Sequence, residues 1–311
     1  MKQRIVYEEG QNKKKLKKKK PRNQTSQEDR ERSKKRKKSN AGVIKEFMDC
    51  RVEEAETLYD SLWNQPNVLV VGVDEAGRGC AAGPVVVSAF ACLNKKFRQE
   101  MQQLKIRDSK KMTPVQRQKG FDLLKNDKNG LSATRTISHE DIDNTNIFRA
   151  TIKGMKWVIE DLLFALTSAT LFSKLTKIVI LCDGPYVPIF ENPLPPSCSF
   201  ECFGVVRGDS RILEISAASV LAKHFRDSIM IQHHKTFPNY DFKSNKGYLT
   251  TSHQKALEKF GPSSIHRKSV APVRQAALNF VLPTDSETVI PEPAVAVAVA
   301  AAAAATAAAT A

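Results

Sequence analysis

The chain has 311 residues, of which 41% are hydrophobic and 26% are charged. This is enough apolar material for a sizeable core, and the charged fraction is ordinary for a soluble domain, so a wholly disordered chain is excluded. The net charge is +16, and residues 1–40 supply +12 of it through 17 Lys or Arg against 5 Asp or Glu. The basicity therefore belongs mainly to an N-terminal tail rather than to the domain.

Two segments at the ends are predicted to be tails. Residues 1–45 have few apolar side chains to bury, which predicts a disordered basic tail. Its basic clusters at 13–20 and 34–38 are typical of a nuclear localisation signal or a nucleic-acid-binding patch. A solvated tail without a specific partner is the alternative, and the interspersed acids make a mitochondrial presequence less favoured. Residues 281–311 are alanine-rich and predict a low-complexity tail rather than a membrane anchor, which leaves one domain over residues 46–280.

Alternating apolar segments predict the elements of that domain. Short β-branched runs bounded by turn residues predict strands, and apolar residues at helical spacing predict amphipathic helices. In chain order, strands are predicted near 68–74, 84–92, 131–138, 177–183 and 199–206, and helices near 44–63, 95–104, 114–126, 144–173, 212–235 and 251–260. Strands and helices mixed in this way indicate one α/β domain.

Four carboxylates follow or end the apolar runs that predict strands: Asp74, Glu75, Asp183 and Asp209. Strand ends along one edge of a sheet converge, so these acids are expected to meet. Clustered carboxylates repel one another, and Mg²⁺ or Mn²⁺ relieves that repulsion. Two such ions about 3.5–4 Å apart could hold the attacking water and the leaving oxygen of a phosphodiester. Taken singly, Asp183 could be a turn residue and Asp209 a helix cap, but four acids in the same context favour the metal site.

The turn after the first strand contains Gly77, Arg78 and Gly79, with Gly83 further on. Glycines allow backbone amides to approach a phosphate or a sugar closely. The segment lacks the Lys-Ser/Thr pair of a P-loop and the spacing of a dinucleotide-binding fingerprint. The two acids before it would also repel a pyrophosphate, so a nucleotide loop is rejected.

These motifs together resemble the type II ribonuclease H family (ribonuclease HII). The resemblance rests first on Asp74-Glu75-Ala-Gly77-Arg78-Gly79 and the following Gly83-Pro84. It continues in order over about residues 68–275 through Asp108-Ser109-Lys110-Lys111, Asp183-Gly184, Arg207-Gly208-Asp209, Lys223 with Arg226-Asp227, Lys246-Gly247-Tyr248 and His266-Arg267. The later segments look more like the single-chain bacterial form than the catalytic subunit of the three-subunit eukaryotic enzyme. The chain departs from the family at Pro185-Tyr186, where an asparagine and a basic residue are common.

The resemblance implies a ribonuclease H-like α/β fold, a mixed sheet flanked by helices, with a helical C-terminal extension. It implies a Mg²⁺- or Mn²⁺-dependent endonuclease that hydrolyses the RNA strand of RNA–DNA hybrids and cuts at ribonucleotides embedded in duplex DNA, leaving 3′-hydroxyl and 5′-phosphate ends. The implied metal-binding and catalytic acids are Asp74, Glu75, Asp183 and Asp209. The implied substrate contacts are Gly77, Arg78 and Gly79 at the ribose 2′-hydroxyl, Tyr248 at the deoxyribose of the RNA–DNA junction, and Lys110, Lys111 and Lys223 at phosphates. Activity as a single chain is expected, with accessory subunits left open, no membrane partner, and the nucleus as the location, the mitochondrion being the alternative.

Two other functions compete with this interpretation. One is a nucleic-acid-binding protein without catalysis on the same scaffold, whose affinity comes from the basic tail; the presence of all four acids disfavours it. The other is a different nuclease of the same fold, such as a junction resolvase or an integrase. The Gly77-Arg78-Gly79 segment and Tyr248 disfavour that class.

Overall fold

A five-stranded mixed sheet forms the centre of the computed structural model, which describes residues 59, 61–63, 65–126, 128–167, 172–190 and 198–280. The strands are β1 (Val68–Ala76), β2 (Val85–Cys92), β3 (Gly130–Ile137), β4 (Lys177–Asp183) and β5 (Ser199–Val205), in the spatial order β3-β2-β1-β4-β5. Strand β2 is antiparallel to β1 and β3, whereas β4 is parallel to β1 and β5. The predicted tails, most of the helix predicted at 44–63 and the loop segment 191–197 lie outside the described residues.

Helices cover both faces of the sheet. In chain order they are α1 (Lys95–Gln103), α2 (Pro114–Asn126), α3 (His139–Asn144), α4 (Ile147–Thr167), α5 (Leu213–Thr236), α6 (Phe242–Asn245), α7 (Thr251–Phe260) and α8 (Ala271–Asn279). Within the described ranges, none of the helices combines the length and the apolarity that a bilayer crossing requires. The predicted mixed sheet flanked by helices, with a helical C-terminal region, is confirmed.

The two faces of β1 pack against different helices because successive side chains of a strand point in opposite directions. Val71 belongs to the core beneath α4, and Val70 belongs to the core that includes Ile215 of α5. Each fully buried aliphatic side chain in these layers contributes on the order of 1.5–3 kcal/mol. Gly72 lets α5 approach β1 closely, since an added Cβ would lie 2.1 Å from the carbonyl carbon of Glu214. This contact fixes the first turns of α5 beside the end of β1.

The helix predicted over 144–173 is wrong in its start, because a separate short helix, α3, ends where the predicted helix begins. Helix α3 ends at Asn144, and α4 begins at Ile147 and ends at Thr167. The side chain of Asn146 accepts a hydrogen bond of 2.8 Å from the backbone amide of Arg149. This is the contact of an N-cap residue, which starts a new helix.

The C-terminal extension packs around the second half of α5. Met230 of α5 shares a buried cluster with Phe242, Leu257 and Val273 from α6, α7 and α8. The extension also pairs with the loop between β1 and β2, where the amide of Ala81 donates to the carbonyl of Gly247 at 2.9 Å and the amide of Arg267 donates to the carbonyl of Ala81 at 2.9 Å. Helix α5 and this loop together connect the sheet to the segment that carries Tyr248.

Candidate active site

Two neighbouring parallel strands carry the first two aspartates to the same edge of the sheet. Val73 of β1 is in register with Cys182 of β4, so Asp74 and Asp183 form the next pair along the two strands. Asp209 lies in the 3₁₀ turn between β5 and α5. Carboxylate oxygens of these three aspartates all lie within 4.8 Å of one another. The structure therefore brings together three of the four predicted acids.

Hydrogen bonds hold the Asp209 turn in place. The hydroxyl of Ser216 in α5 donates to the backbone carbonyl of Asp209 at 2.8 Å, and the amide of Asp209 donates to the carboxylate of Asp183 at 3.3 Å. The N-cap of α5 is Ile212, which has no side-chain capping bond. Asp209 is thus not the cap of the long helix, and its carboxylate faces the other aspartates.

Burial raises the pKa of the acids at this edge, and the charge of a neighbouring acid adds to this effect at Asp74, Glu75 and Asp209. Burial, followed by the charges of Glu75 and Asp183, raises the pKa of Asp74 well above its usual range. Burial is also the main cause that raises the pKa of Glu75, Asp183 and Asp209. The ammonium of Lys110 lies 3.9 Å from the carboxylate of Asp209. Burial alone would lower the pKa of Lys110, but the charges of Asp74 and Asp209 outweigh burial and raise it. The cluster thus carries more negative charge than the neighbouring cation compensates.

The donor set fits a hard divalent cation. Asp74 and Asp209 are only 4% and 8% exposed, and buried carboxylates at this separation require positive charge or protonation. Oxygen ligands of this type are those that Mg²⁺ and Mn²⁺ prefer. Glu75 lies outside the group of three, and its carboxylate forms an ion pair with Arg78 at 3.5 Å.

Two buried arginines, which the sequence interpretation left without a role, hold the loop between β1 and β2. Arg226 of α5 is 0% exposed and Arg267 is 1% exposed. Arg267 donates to the backbone carbonyls of Gly77, Arg78, Gly83 and Pro84 at 2.7–3.1 Å. Arg226 donates to the carbonyls of Ala82, Pro84 and Lys246 at 2.7–3.3 Å. The two guanidiniums therefore fix the position of the Gly77–Gly79 segment relative to the acids.

The two glycines of that segment have different environments. Gly77 has a φ of +97°, and an added Cβ would lie 1.9 Å from Nε of Arg226. The fold itself therefore requires glycine at this position. At Gly79, an added Cβ would meet nothing within 4 Å among the described residues. The open space at Gly79 leaves its backbone accessible to a ligand.

Tyr248 is 41% exposed, and its ring centroid lies 6.0 Å from the Arg226 guanidinium carbon. A chain of buried histidines supports its backbone. The amide of Ser263 donates to Nδ1 of His266 at 2.9 Å, so Nε2 of His266 carries the proton that it donates to Nε2 of His253 at 2.9 Å. Nδ1 of His253 is then the donor to the Tyr248 carbonyl at 2.9 Å. The hydrogen-bond directions thus require both imidazoles to be neutral.

The three predicted phosphate-binding lysines lie in two settings. Lys110 and Lys111 have side chains that are 68% and 62% exposed, and Lys111 lies 3.8 Å from Asp108. Lys223 is only 18% exposed and donates to Asp227 at 2.6 Å, one turn further along α5. Lys110 and Lys111 are therefore open to solvent, whereas Lys223 already has an anionic partner.

The order of the sheet, with acids gathered at one edge, defines the class of ribonuclease H-like hydrolases. The model of the family described as Ribonuclease HII matches residues 71–273. Ribonuclease HII of Chlamydia muridarum (strain MoPn / Nigg) is 37% identical over 226 residues, which are 72% of this chain and 91% of that protein. Ribonuclease HII of Chlamydia abortus is 39% identical over 210 residues, 67% of this chain and 86% of that protein.

A solved structure of Bst-RNase HIII in complex with Mn²⁺ is 13% identical, with a TM-score of 0.52 over 70% of this chain and 72% of that chain. At this identity the likeness shows the shared fold. The family match and the Chlamydia relatives show that the chain belongs to the ribonuclease HII family. It is therefore a hydrolase, an endoribonuclease acting on RNA–DNA hybrids.

Proposed function

We propose that Asp74, Asp183 and Asp209, together with Glu75, form the metal-binding and catalytic centre of this endoribonuclease. The observation that carries the proposal is the meeting of three carboxylates within 4.8 Å at one sheet edge. Mg²⁺ or Mn²⁺ bound there, in a two-metal arrangement, would activate water and stabilise the charge on the scissile phosphate. Glu75 would give up its ion pair with Arg78 and turn its carboxylate towards the centre, which is a rearrangement of one side chain that is 12% exposed.

The chain's own residues would bind and orient the nucleic acid. The backbone of Gly77 and Gly79, fixed by Arg226 and Arg267, would contact the 2′-hydroxyl that distinguishes RNA from DNA, and the exposed guanidinium of Arg78 would approach the adjacent phosphate. Tyr248 would pack on the deoxyribose at an RNA–DNA junction, and its exposed ring supports this contact.

The exposed ammonium groups of Lys110 and Lys111 would contact phosphates of the same strand. Lys223 would do so only by exchanging its partner Asp227 for a phosphate.

We further infer that the substrates include single ribonucleotides embedded in duplex DNA, as well as the RNA strand of hybrids. A contact that reads one 2′-hydroxyl needs only one ribonucleotide. Such cleavage would leave 3′-hydroxyl and 5′-phosphate ends, and it would serve ribonucleotide excision repair and DNA replication. Activity as a single chain is proposed, since the acids, the glycine loop and Tyr248 all lie in this polypeptide.

The direct test is incubation of the purified full chain with duplex DNA that contains one ribonucleotide, in Mg²⁺, in Mn²⁺ and in EDTA. Cleavage next to the ribonucleotide in either metal and none in EDTA is expected. A matched all-deoxy duplex is the control and is expected to stay intact. No cleavage of the ribonucleotide-containing duplex in either metal would overturn the proposed substrate.

The organisation and location of the protein are also proposals. We propose a basic tail over residues 1–45, a catalytic domain over 46–280 and an alanine-rich tail over 281–311, with the nucleus as the location and the mitochondrion as the alternative. The basic clusters of the tail support nuclear import. Deletion of residues 1–40 is expected to weaken nuclear accumulation while leaving cleavage intact. Unchanged nuclear accumulation would refute the targeting role.

A further inference from the structure

An exposed pair of aromatic side chains borders the acidic edge and has no role in the proposed function. Phe148 of α4 is 39% exposed, and Tyr186, which follows β4, is 43% exposed. Their ring centroids are 4.9 Å apart, with the ring planes at 81°. Two large aromatic rings in mutual contact at the surface form a small apolar patch, and its place beside the acidic edge makes it a candidate for contact with the substrate.

The chain places this aromatic pair directly beside the candidate centre. Strand β4 ends at Asp183, and the following glycine, Gly184, has a φ of +88° that turns the chain towards the surface. Phe148 lies in the first turn of α4, opposite that turn. One cleft is lined by both aromatic residues together with Asp183 and Arg78. The same cleft therefore joins an aromatic wall, one acid of the centre and the arginine of the glycine loop.

The position of the pair also separates it from Tyr248. Phe148 belongs to α4, which covers one face of the sheet, whereas the Tyr248 ring lies near Arg226 of α5, which covers the other face. A nucleic-acid strand that passes over the acidic edge would meet Tyr248 on one side and the aromatic pair on the other. Bases inside a duplex are stacked on one another, but the sugar rings of the backbone are accessible to such side chains.

We propose that Phe148 and Tyr186 form a second sugar-binding platform, which packs against a nucleotide flanking the scissile phosphate on the side away from Tyr248. The inference deepens the proposed function and rests on it. Contacts to sugar and phosphate set the register of a protein on a duplex without reading its sequence. The platform would therefore strengthen binding of the duplex on that side of the acids, and Arg78 in the same cleft would supply the charge for the adjacent phosphate.

The test measures cleavage of a duplex with one ribonucleotide by the full chain and by the variants Phe148→Ala and Tyr186→Ala. Each variant is expected to raise KM about tenfold, the size of one aromatic–nucleotide contact, with kcat within about twofold. Tyr186→Phe keeps the ring and is expected to keep KM. Phe164→Ala is the matched control, because Phe164 is a 77% exposed aromatic residue of the same helix, about 24 Å further along its axis.

A series of shortened duplexes separates a substrate contact from a structural role. The increase in KM is expected to vanish once the duplex ends before the platform on one side of the ribonucleotide, and to persist when it is shortened on the other side. An equal increase with every duplex, or no increase in either alanine variant, would overturn the platform while leaving the proposed function intact. Absence of cleavage by the unaltered chain would overturn the proposed function and the platform with it.

Discussion

The acidic edge and the loop beside it each adjoin a buried group of side chains that carry the same charge. The protein supplies hydrogen-bond partners that offset this charge for only one of the two groups. The positive group is Arg226 and Arg267, whose guanidiniums make three and four hydrogen bonds to backbone carbonyls. Among the described residues, no carboxylate forms an ion pair with either of them. Burial lowers the pKa of Arg267 to about 10, so the guanidinium stays charged at neutral pH.

The negative group is Asp74, Asp183 and Asp209, and the protein leaves it incomplete. Burial and neighbouring acids raise the pKa of Asp74, and Lys110 approaches Asp209 only to 3.9 Å. All of the carbonyls that accept from the two arginines, except that of Lys246, belong to the loop between β1 and β2, so the buried guanidiniums hold the backbone of this loop in place. The carboxylates of Asp74 and Asp183 accept hydrogen bonds from the neutral backbone amides of Glu75 and Asp209, which leave their charge available to an external cation. The difference assigns a structural role to the satisfied cluster and supports the functional role proposed for the unsatisfied one.

Neutralising one acid of the incomplete cluster should have the largest effect on activity. Asp183→Asn is expected to lower kcat on the order of a thousandfold, because it removes a ligand charge from the proposed metal site. Cleavage of a duplex with one ribonucleotide under single-turnover conditions measures the change. Asp161→Asn is the control, since Asp161 pairs with exposed Arg135 on the surface. Comparable activity in the two variants would refute the role of Asp183.

Removing a charge from the completed cluster should instead destabilise the fold. Arg267→Met is expected to lower the free energy of unfolding by about 3–5 kcal/mol, because the loop carbonyls lose their donor in a buried site. Urea denaturation measures the change. Arg135→Met removes an exposed arginine and is expected to cost no more than about 1 kcal/mol. If the two variants were equally stable, the arginines would not hold the loop.

Substitutions at the two glycines of the loop should separate an effect on the stability of the fold from an effect on substrate recognition. Gly77→Ala places a methyl group against Arg226 at a positive φ and is expected to cost about 1–3 kcal/mol of stability. Gly79→Ala meets no described side chain and should leave the melting temperature unchanged, while kcat/KM falls because the methyl group occupies the proposed ligand space. A Gly79→Ala variant with full activity would show that the ligand does not approach this glycine.

The histidine chain behind Tyr248 should make the C-terminal region sensitive to acid. Burial, followed by the neighbouring His253, lowers the pKa of His266 from 6.5 to about 3. The unfolded chain therefore binds a proton at His266 near pH 6.5, whereas the folded chain does not. The stability that is present above pH 6.5 is lost as the pH falls through the window from 6.5 to 3. By pH 5 the loss is about 2 kcal/mol. His266→Gln is expected to flatten this dependence in urea denaturation; an identical pH slope in both proteins would contradict it.

The strands and the meeting of three of the four acids are the parts of the molecule that the sequence predicts well. Strands β1 and β4 are continuous apolar runs that end on carboxylates. Because the two strands are parallel neighbours, their ends lie side by side, and this does not depend on the conformation of the loops. The start of α4 at Ile147, rather than at the predicted residue 144, depends on one capping contact from Asn146, which competes with a strong apolar periodicity. The spacing of apolar residues in the sequence is a weak predictor of such a helix cap.

The arginine cluster shows what the sequence interpretation missed. Arginine is usually a surface residue, so the sequence does not mark Arg226 and Arg267 as buried. The carbonyls that accept their hydrogen bonds lie up to 190 residues away in the chain. One signal was present, because Arg226 follows Ala218 and Ala222 and precedes Met230 at intervals of four. This spacing places it on the buried face of α5. No comparable signal marks Arg267.

The central claim is that the aspartates form a cluster of negative charge that a bound metal ion completes. The most direct test is thermal unfolding of the full chain and of Asp74→Asn, each in EDTA and in Mn²⁺. In EDTA the variant is expected to melt at the higher temperature, because one buried repulsive charge is gone. The asparagine side chain introduced there can still accept the hydrogen bond that the Glu75 amide gives Asp74. Mn²⁺ is expected to raise the melting temperature of the unaltered chain and to change that of the variant little. An unaltered chain that does not respond to Mn²⁺, or a variant that is the less stable protein in EDTA, would contradict the account.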